Sequence, residues 1–161
     1  NVISIIDDFL QKSELHFLQK NIKESYYMRW YDLNDDHFFK DICLYMCFYA
    51  KRHFKIVDDI VGYENWCHCN PQEVKWHNDK DEELLRQTGN LSFPLCSIVY
   101  YFNVDDDLIG GDIYFDNGVN VKPRNNRLVL FGPSLFHGVN KHKGSRSSFL
   151  VNPWKSKPLG Y

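Results

Sequence analysis

No stretch of this 161-residue chain is apolar for long enough to cross a bilayer. The longest apolar runs, such as Cys96–Phe102, fall far short of the roughly 20 residues a spanning helix needs, so no membrane association is expected. A surplus of charge is also missing. The formal net charge is −2, and Lys and Arg are scattered apart from a small cluster at Lys141, Lys143 and Arg146. Nucleic-acid domains ordinarily carry a basic stripe, so neither DNA nor RNA is an expected partner. The five cysteines (Cys43, Cys47, Cys67, Cys69 and Cys96) are odd in number, and no secretory leader pattern accompanies them. They read as reduced thiols in a cytoplasmic protein rather than a disulfide framework. Repeats, low-complexity tracts and an internal composition break are absent as well, which points to one domain over residues 1–161.

The hydrophobic share of 43% supports one core, and the aromatic share of 16% is high. Leu10, Leu15, Leu18 and Ile22 recur at near-helical spacing, with Ser13 as N-cap. A second helix is expected from about Asp36 to Arg52, on the period of Phe39, Ile42, Tyr45, Met46 and Tyr49. Cys43 and Cys47 in that segment read as small core residues. From about residue 63 the pattern changes to short β-branched and aromatic runs separated by turn signals. The expected strands are Asn65–Cys69, Val74–His77, Cys96–Asn103, Asp112–Phe115, Asn120–Val121, Arg127–Phe131, His137–Val139 and Ser147–Asn152. The expected fold is mostly β: a double-sheet jelly roll over about 63–154, with a helical support over about 1–62 packed on one face.

The chemistry centres on His77 and Asp79, an H-x-D pair, and on His137 far downstream. Two imidazoles and one carboxylate can cap one face of an octahedral metal and leave the other open, the usual ligand set of non-haem Fe(II) oxygenases. In a strand His77 and Asp79 point the same way. Taken singly, each histidine reads more simply as a structural residue; their combination with Gly110-Gly111 and with Arg146, nine residues beyond His137, makes the metal reading the stronger one. Arg146 opens a core strand on which Ser148, Leu150 and Asn152 share its face. A buried cation there needs an anionic partner, and a guanidinium matches a carboxylate. Tyr100 and Tyr101 must face opposite ways, with Tyr101 sharing a face with Ser97, Val99 and Asn103.

These segments (Trp76-His77-Asn78-Asp79, Ser97–Tyr101, Gly110–Ile113, Pro123–Leu128 and His137–Arg146) resemble the Fe(II)/2-oxoglutarate-dependent dioxygenases, specifically their prolyl-4-hydroxylase-like branch. The resemblance runs from about Trp66 to Trp154. It implies a double-stranded β-helix, with Fe(II) on His77, Asp79 and His137. It also implies 2-oxoglutarate as co-substrate, its far carboxylate on Arg146 and Tyr101 with Ser148 beside them, and O2 as oxidant with ascorbate as an auxiliary reductant. The implied reaction hydroxylates a C–H bond and releases succinate and CO2. The substrate would be a prolyl residue in a peptide or protein, or another side chain or small molecule. Asp79 favours hydroxylation over the halogenation of a related branch that lacks the carboxylate. Asn152 stands where the nucleic-acid-demethylating branch has a second Arg. The family often places a Tyr nine or ten residues before the H-x-D His; here Cys67 and His68 stand there, so His68 or Trp66 is the expected substitute. A compact member of this kind fits a bacterium or a virus equally.

Three alternatives remain at the level of sequence. One is a non-catalytic jelly roll binding a small ligand or protein through a vestigial metal site. Another is a cupin-type metalloenzyme, which ordinarily uses more histidines and needs no Arg146. The third is a zinc site at Cys67-His68-Cys69, which strand alternation disfavours by placing His68 opposite the two thiols. The acidic stretch Asp81-Glu82-Glu83, within an expected lid from Lys80 to Phe93, reads first as a solvated charge run. If it touched substrate, it would suit a basic one.

Overall fold

The structure of the protein is a computed structural model, described over residues 3–70 and 73–161. The element order is β1 (Ile3–Asp7), α1 (Lys12–Asn21), β2 (Tyr26–Asp32), α2 (Lys40–His53), β3 (Gly62–Cys69), β4 (Val74–His77), α3 (Glu82–Thr88), β5 (Ser97–Val104), β6 (Ile109–Gly110), β7 (Ile113–Phe115), β8 (Asn120–Val121), β9 (Arg127–Phe131), β10 (His137–Val139), β11 (His142–Lys143) and β12 (Arg146–Trp154). Six strands form the major sheet in the order β1-β9-β5-β12-β3-β2, four form the minor sheet in the order β4-β10-β7-β8, and β6 and β11 make a two-stranded ribbon. Every pairing is antiparallel. This is the jelly roll expected from the short alternating strands.

Strand alternation divides the major sheet between two cores. On its outer face Ile98, Tyr100, Phe102, Leu128, Leu130, Phe149 and Val151 pack against Leu18, Ile22, Ile42 and Met46 of α1 and α2. Full burial of each large apolar side chain contributes about 1.5–3 kcal/mol, so this helix-covered face holds the frame. On its inner face Val99, Tyr101, Val129 and Phe131 meet Ile113, Phe115, Val121 and Val139 of the minor sheet. The fully buried seam of α2 is Ile42, Cys43, Met46, Cys47 and Ala50; of the expected period, Ile42 and Met46 lie in it, and Phe39 and Tyr49 are partly buried beside it. Tyr45 is displaced to the flank and stacks on Phe9 at 5.1 Å.

The N-terminal part is less helical than its periodicity suggests. It supplies both edges of the major sheet, with β1 pairing to β9 and β2 to β3. The Asp7 carboxylate receives Arg127 Nε at 2.7 Å across the β1–β9 pair. α1 is capped at Gln11 rather than Ser13, and Glu14 reaches back to the Gln11 N–H at 3.1 Å. The second helix begins at Lys40, not Asp36. The expected lid contains α3, capped by Asp81 through Leu84 N–H at 2.9 Å and closed by Gly89 at φ 74°. Glu82 and Glu83 therefore sit in a helical first turn, where negative charge is favoured, and pair with Lys80 and Arg86. Both also line a cavity that borders His77 and Asp79.

Candidate metal and co-substrate site

His77 ends β4 and His137 begins β10, and the two are direct cross-strand partners, with ring centroids 4.4 Å apart. Asp79 lies two residues past the strand end and returns to the same point, anchored by its backbone N–H on Pro133 O at 3.1 Å. Asp79 Oδ1 is 3.4 Å from His77 Nε2 and 3.7 Å from His137 Nε2. Ligand atoms of the three residues all lie within 4.8 Å of one another, and among the described residues no other group of three metal-ligating side chains gathers this way.

The tautomers are arranged for binding. Nδ1 of His77 faces the Lys75 carbonyl at 2.7 Å, and Nδ1 of His137 faces the Leu135 carbonyl at 2.9 Å. Each Nδ1 therefore donates to its carbonyl, which leaves Nε2 as the ligand atom on the side of Asp79. Burial lowers the pKa of His137 and keeps it neutral. Without a metal, His77 Nε2–H donates to the Asp79 carboxylate, which raises its pKa and favours its charged form; a metal ion would take the place of that proton. Burial alone would push Asp79 up, but His77, His137 and the Ser97 hydroxyl outweigh it and hold the carboxyl below its ordinary value. Neutral imidazole nitrogens with one carboxylate oxygen fit Fe(II) and leave coordination positions open.

Arg146 opens β12 and is 2% exposed. Its Nη2 donates to the Tyr101 hydroxyl at 3.2 Å, and its guanidinium carbon lies 5.2 Å from the Tyr101 ring centroid. Among the described residues its Nε has no partner. Among the described residues no carboxylate forms an ion pair with it. An isolated buried cation is costly, so this geometry calls for an anion. The Gly-Gly turn gives the guanidinium stem its room. Gly111 has φ +77°, and a Cβ there would lie 2.8 Å from Arg146 Cδ.

The sequence-derived residues largely converge. Arg146, Ser148, Leu150 and Asn152 share one face, and all line a pocket with His77, Asp79, His137, Trp66 and His68. Ser148 stands opposite both His68 and Tyr101 in the register. His68 points inward, and burial followed by the nearby Arg146 charge lowers its pKa, keeping it neutral. Cys67 and Cys69 lie on the other face with their sulfurs 3.8 Å apart, which removes the zinc alternative. Tyr100 faces the helices and donates to Asn126 Oδ1 at 2.6 Å, opposite to Tyr101. Asn103 does not share the Tyr101 face as alternation predicts. A register shift skips Phe102, so Asn103 is exposed and Val104 turns inward. The sequence reading missed the role of Ser97 and Asn152, which both hydrogen-bond Asp79 Oδ2, at 2.5 and 3.2 Å. A second cavity meets the first at Trp66, His77, Asp79 and Asn152, and is lined beyond them by Met28, Glu64 and Tyr161.

Comparison with solved structures places the fold. A prolyl-4-hydroxylase from Pseudomonas putida superposes with a TM-score of 0.67 at 16% identity, covering 96% of this chain and 93% of that one. The viral collagen prolyl hydroxylase of Paramecium bursaria Chlorella virus-1, solved with 2-oxoglutarate, gives 0.62 at 15%, covering 94% and 96%. A Trichoplax adhaerens prolyl hydroxylase, in complex with a peptide fragment of the hypoxia inducible factor oxygen degradation domain, gives 0.60 at 15%, covering 95% and 83%. No curated protein matches the sequence. The sequence pattern of the 2OG-Fe(II) oxygenase superfamily matches residues 64–154. That span is more than half of the chain and takes in both histidines, Asp79 and Arg146, and the protein belongs to the 2OG-Fe(II) oxygenase superfamily.

Proposed function

We propose that the protein is an Fe(II)- and 2-oxoglutarate-dependent hydroxylase, with His77, Asp79 and His137 holding the metal and Arg146 holding the far carboxylate of the oxoacid. The observation that carries this reading is Arg146: a guanidinium 2% exposed that, among the described residues, has no partner at Nε and no carboxylate in an ion pair. A dicarboxylic oxoacid supplies the missing charge in bidentate geometry at one end. Tyr101, whose hydroxyl already touches Nη2, supplies a donor to the same carboxylate. Ser148 and His68 flank that path between Arg146 and His77. Neutral His68 would donate from its ring to the oxoacid.

When bound, Fe(II) with 2-oxoglutarate and O2 supplies the family's chemistry, in which the oxoacid is oxidatively decarboxylated to succinate and CO2 and one oxygen atom enters a substrate C–H bond. The chain's own contribution is binding, orientation and exclusion of water. The apolar lining by Val99, Ile113, Phe131, Val139 and Leu150 lowers the local dielectric and strengthens the Arg146–carboxylate pairing. The second cavity, meeting the first at His77 and Asp79, gives the substrate its approach from the side of α3 and the C-terminal segment. A peptide or protein substrate is favoured, with a prolyl residue the first candidate from the likeness to prolyl hydroxylases. The test is incubation with Fe(II), ascorbate and 2-oxoglutarate plus prolyl peptides. A peptide that raises succinate output and gains one oxygen atom by mass spectrometry supports the reading. Tight 2-oxoglutarate binding with no turnover for any peptide or small molecule would favour the non-catalytic binding module instead.

A further inference from the structure

Asp79 is held from both sides of the barrel. It hangs from β4 of the minor sheet, yet both donors to its Oδ2 come from neighbouring central strands of the major sheet: Ser97 from β5 at 2.5 Å and Asn152 from β12 at 3.2 Å. Both are nearly inaccessible, at 1% and 2% exposed. Oδ1 alone faces the two imidazoles. A carboxylate offers about four lone-pair sites, so an unconstrained one can chelate through both oxygens or rotate away. Two donors on Oδ2 occupy that oxygen and set the plane of the group. They are also neutral. A Lys or Arg in their place would draw on the negative charge a cation needs, whereas a hydroxyl and an amide orient the carboxylate and leave its charge in place. Only the NH2 of Asn152 can donate to a carboxylate, so Asp79 also fixes which way that amide points.

We infer that Ser97 and Asn152 are positioning residues that fix Asp79 as a one-oxygen metal ligand, with Oδ1 toward the metal and Oδ2 withdrawn. This rests on the assignment of His77, Asp79 and His137 as the metal site. It adds two residues that work through Asp79 without touching the metal. The competing role is a structural clip between the two sheets, which would affect folding and not metal affinity.

Titration of the purified full chain with Mn(II), followed by calorimetry or electron paramagnetic resonance, separates the two. Loss of such supporting bonds ordinarily costs about 10- to 100-fold in metal affinity. Ser97→Ala and Asn152→Ala should each weaken Mn(II) binding on that scale, while Ser97→Thr, which retains the hydroxyl, restores it toward wild type. Melting of the metal-free variants provides the control, and Asn152→Ala, at the pocket wall, keeps the test available should Ser97→Ala not fold. Wild-type Mn(II) affinity in both alanine variants, with a lowered metal-free melting temperature, would overturn the inference in favour of the clip. His137→Ala guards the underlying assignment: if wild type binds Mn(II) and His137→Ala does not, a negative result counts against the positioning role alone. If His137→Ala binds as wild type does, the metal site itself is wrong.

Discussion

Replacing Arg146 by Met keeps most of the side chain's volume and removes its charge. In the free protein, the substitution deletes a buried donor with no partner, whose desolvation costs about 1–3 kcal/mol. Against that stand the lost bond to Tyr101, about 1.5–3 kcal/mol for a charged group, and the lost stacking over its ring, about 0.5–2 kcal/mol. The terms oppose one another, so the ligand-free melting temperature should shift by only a few degrees, at about 2–4 °C per kcal/mol for a chain of this size. Binding should behave differently. With Mn(II) in the site to prevent turnover, 2-oxoglutarate at about 100 times its dissociation constant stabilises wild type by about 2.7 kcal/mol, or roughly 5–11 °C. Removing one partner of a buried charge pair costs about 2–5 kcal/mol, at least about 30-fold in affinity. At the same concentration Arg146→Met should then rise by at most about 3 °C. Differential scanning fluorimetry with and without 2-oxoglutarate reads both quantities. An undiminished ligand shift in Arg146→Met would refute the assignment of the far carboxylate to this residue. A collapse of the free protein would show that the guanidinium is satisfied in a way the geometry does not reveal.

Tyr101→Phe keeps the ring beneath Arg146 and removes a donor to the charged carboxylate, worth about 1.5–3 kcal/mol, so 2-oxoglutarate affinity should fall by about 10- to 150-fold in the same Mn(II) assay. Gly111→Ala forces a residue with a Cβ into φ +77° against the Arg146 stem; it should cost about 1–2 kcal/mol of stability from the left-handed backbone alone, and weaken 2-oxoglutarate binding by displacing the guanidinium. The Asp7 carboxyl is held below its ordinary 3.8, first by its hydrogen bond to Arg127. Because the folded-state value is the depressed one, the contribution is full above the ordinary value and is lost as pH falls through the folded value. The pair is partly exposed, so Asp7→Asn should cost about 1 kcal/mol or less near neutrality and almost nothing in strong acid, read by urea denaturation at the two pH values.

The site was more legible than the frame around it. His77, Asp79, His137 and Arg146 were readable because a ligand set fixes residue types and order, and because period-2 alternation sorts β12 into an Arg146–Ser148–Leu150–Asn152 face. The edge strands were not. β2 is rich in aromatic residues, but a register shift between Tyr26 and Arg29 breaks the parity of the strand and leaves no clean alternation of burial. β1 is five residues long and takes its identity from its pairing with β9, a contact more than 100 residues away in sequence. α3 buries none of its residues. Only its local signals, the Asp81 cap and Gly89, announce it, and the charge run masked them. Asn103 was misplaced because the skipped Phe102 reverses the parity of β5, and a bulge leaves no mark in composition. Ser97 and Asn152 were in phase with the site throughout. What hid them was Asp79, which lies beyond the end of its strand, where alternation no longer says what a side chain meets.

The decisive measurement is succinate formation from 2-oxoglutarate by the purified protein in air with Fe(II) and ascorbate, with no substrate added. His137→Ala and Arg146→Ala are run beside wild type. The expected result is slow, Fe(II)-dependent succinate release by wild type, abolished by chelator and absent from both variants. Succinate release of equal rate in wild type and both variants would contradict it, because neither the metal nor the oxoacid would then be held where the structure provides for them.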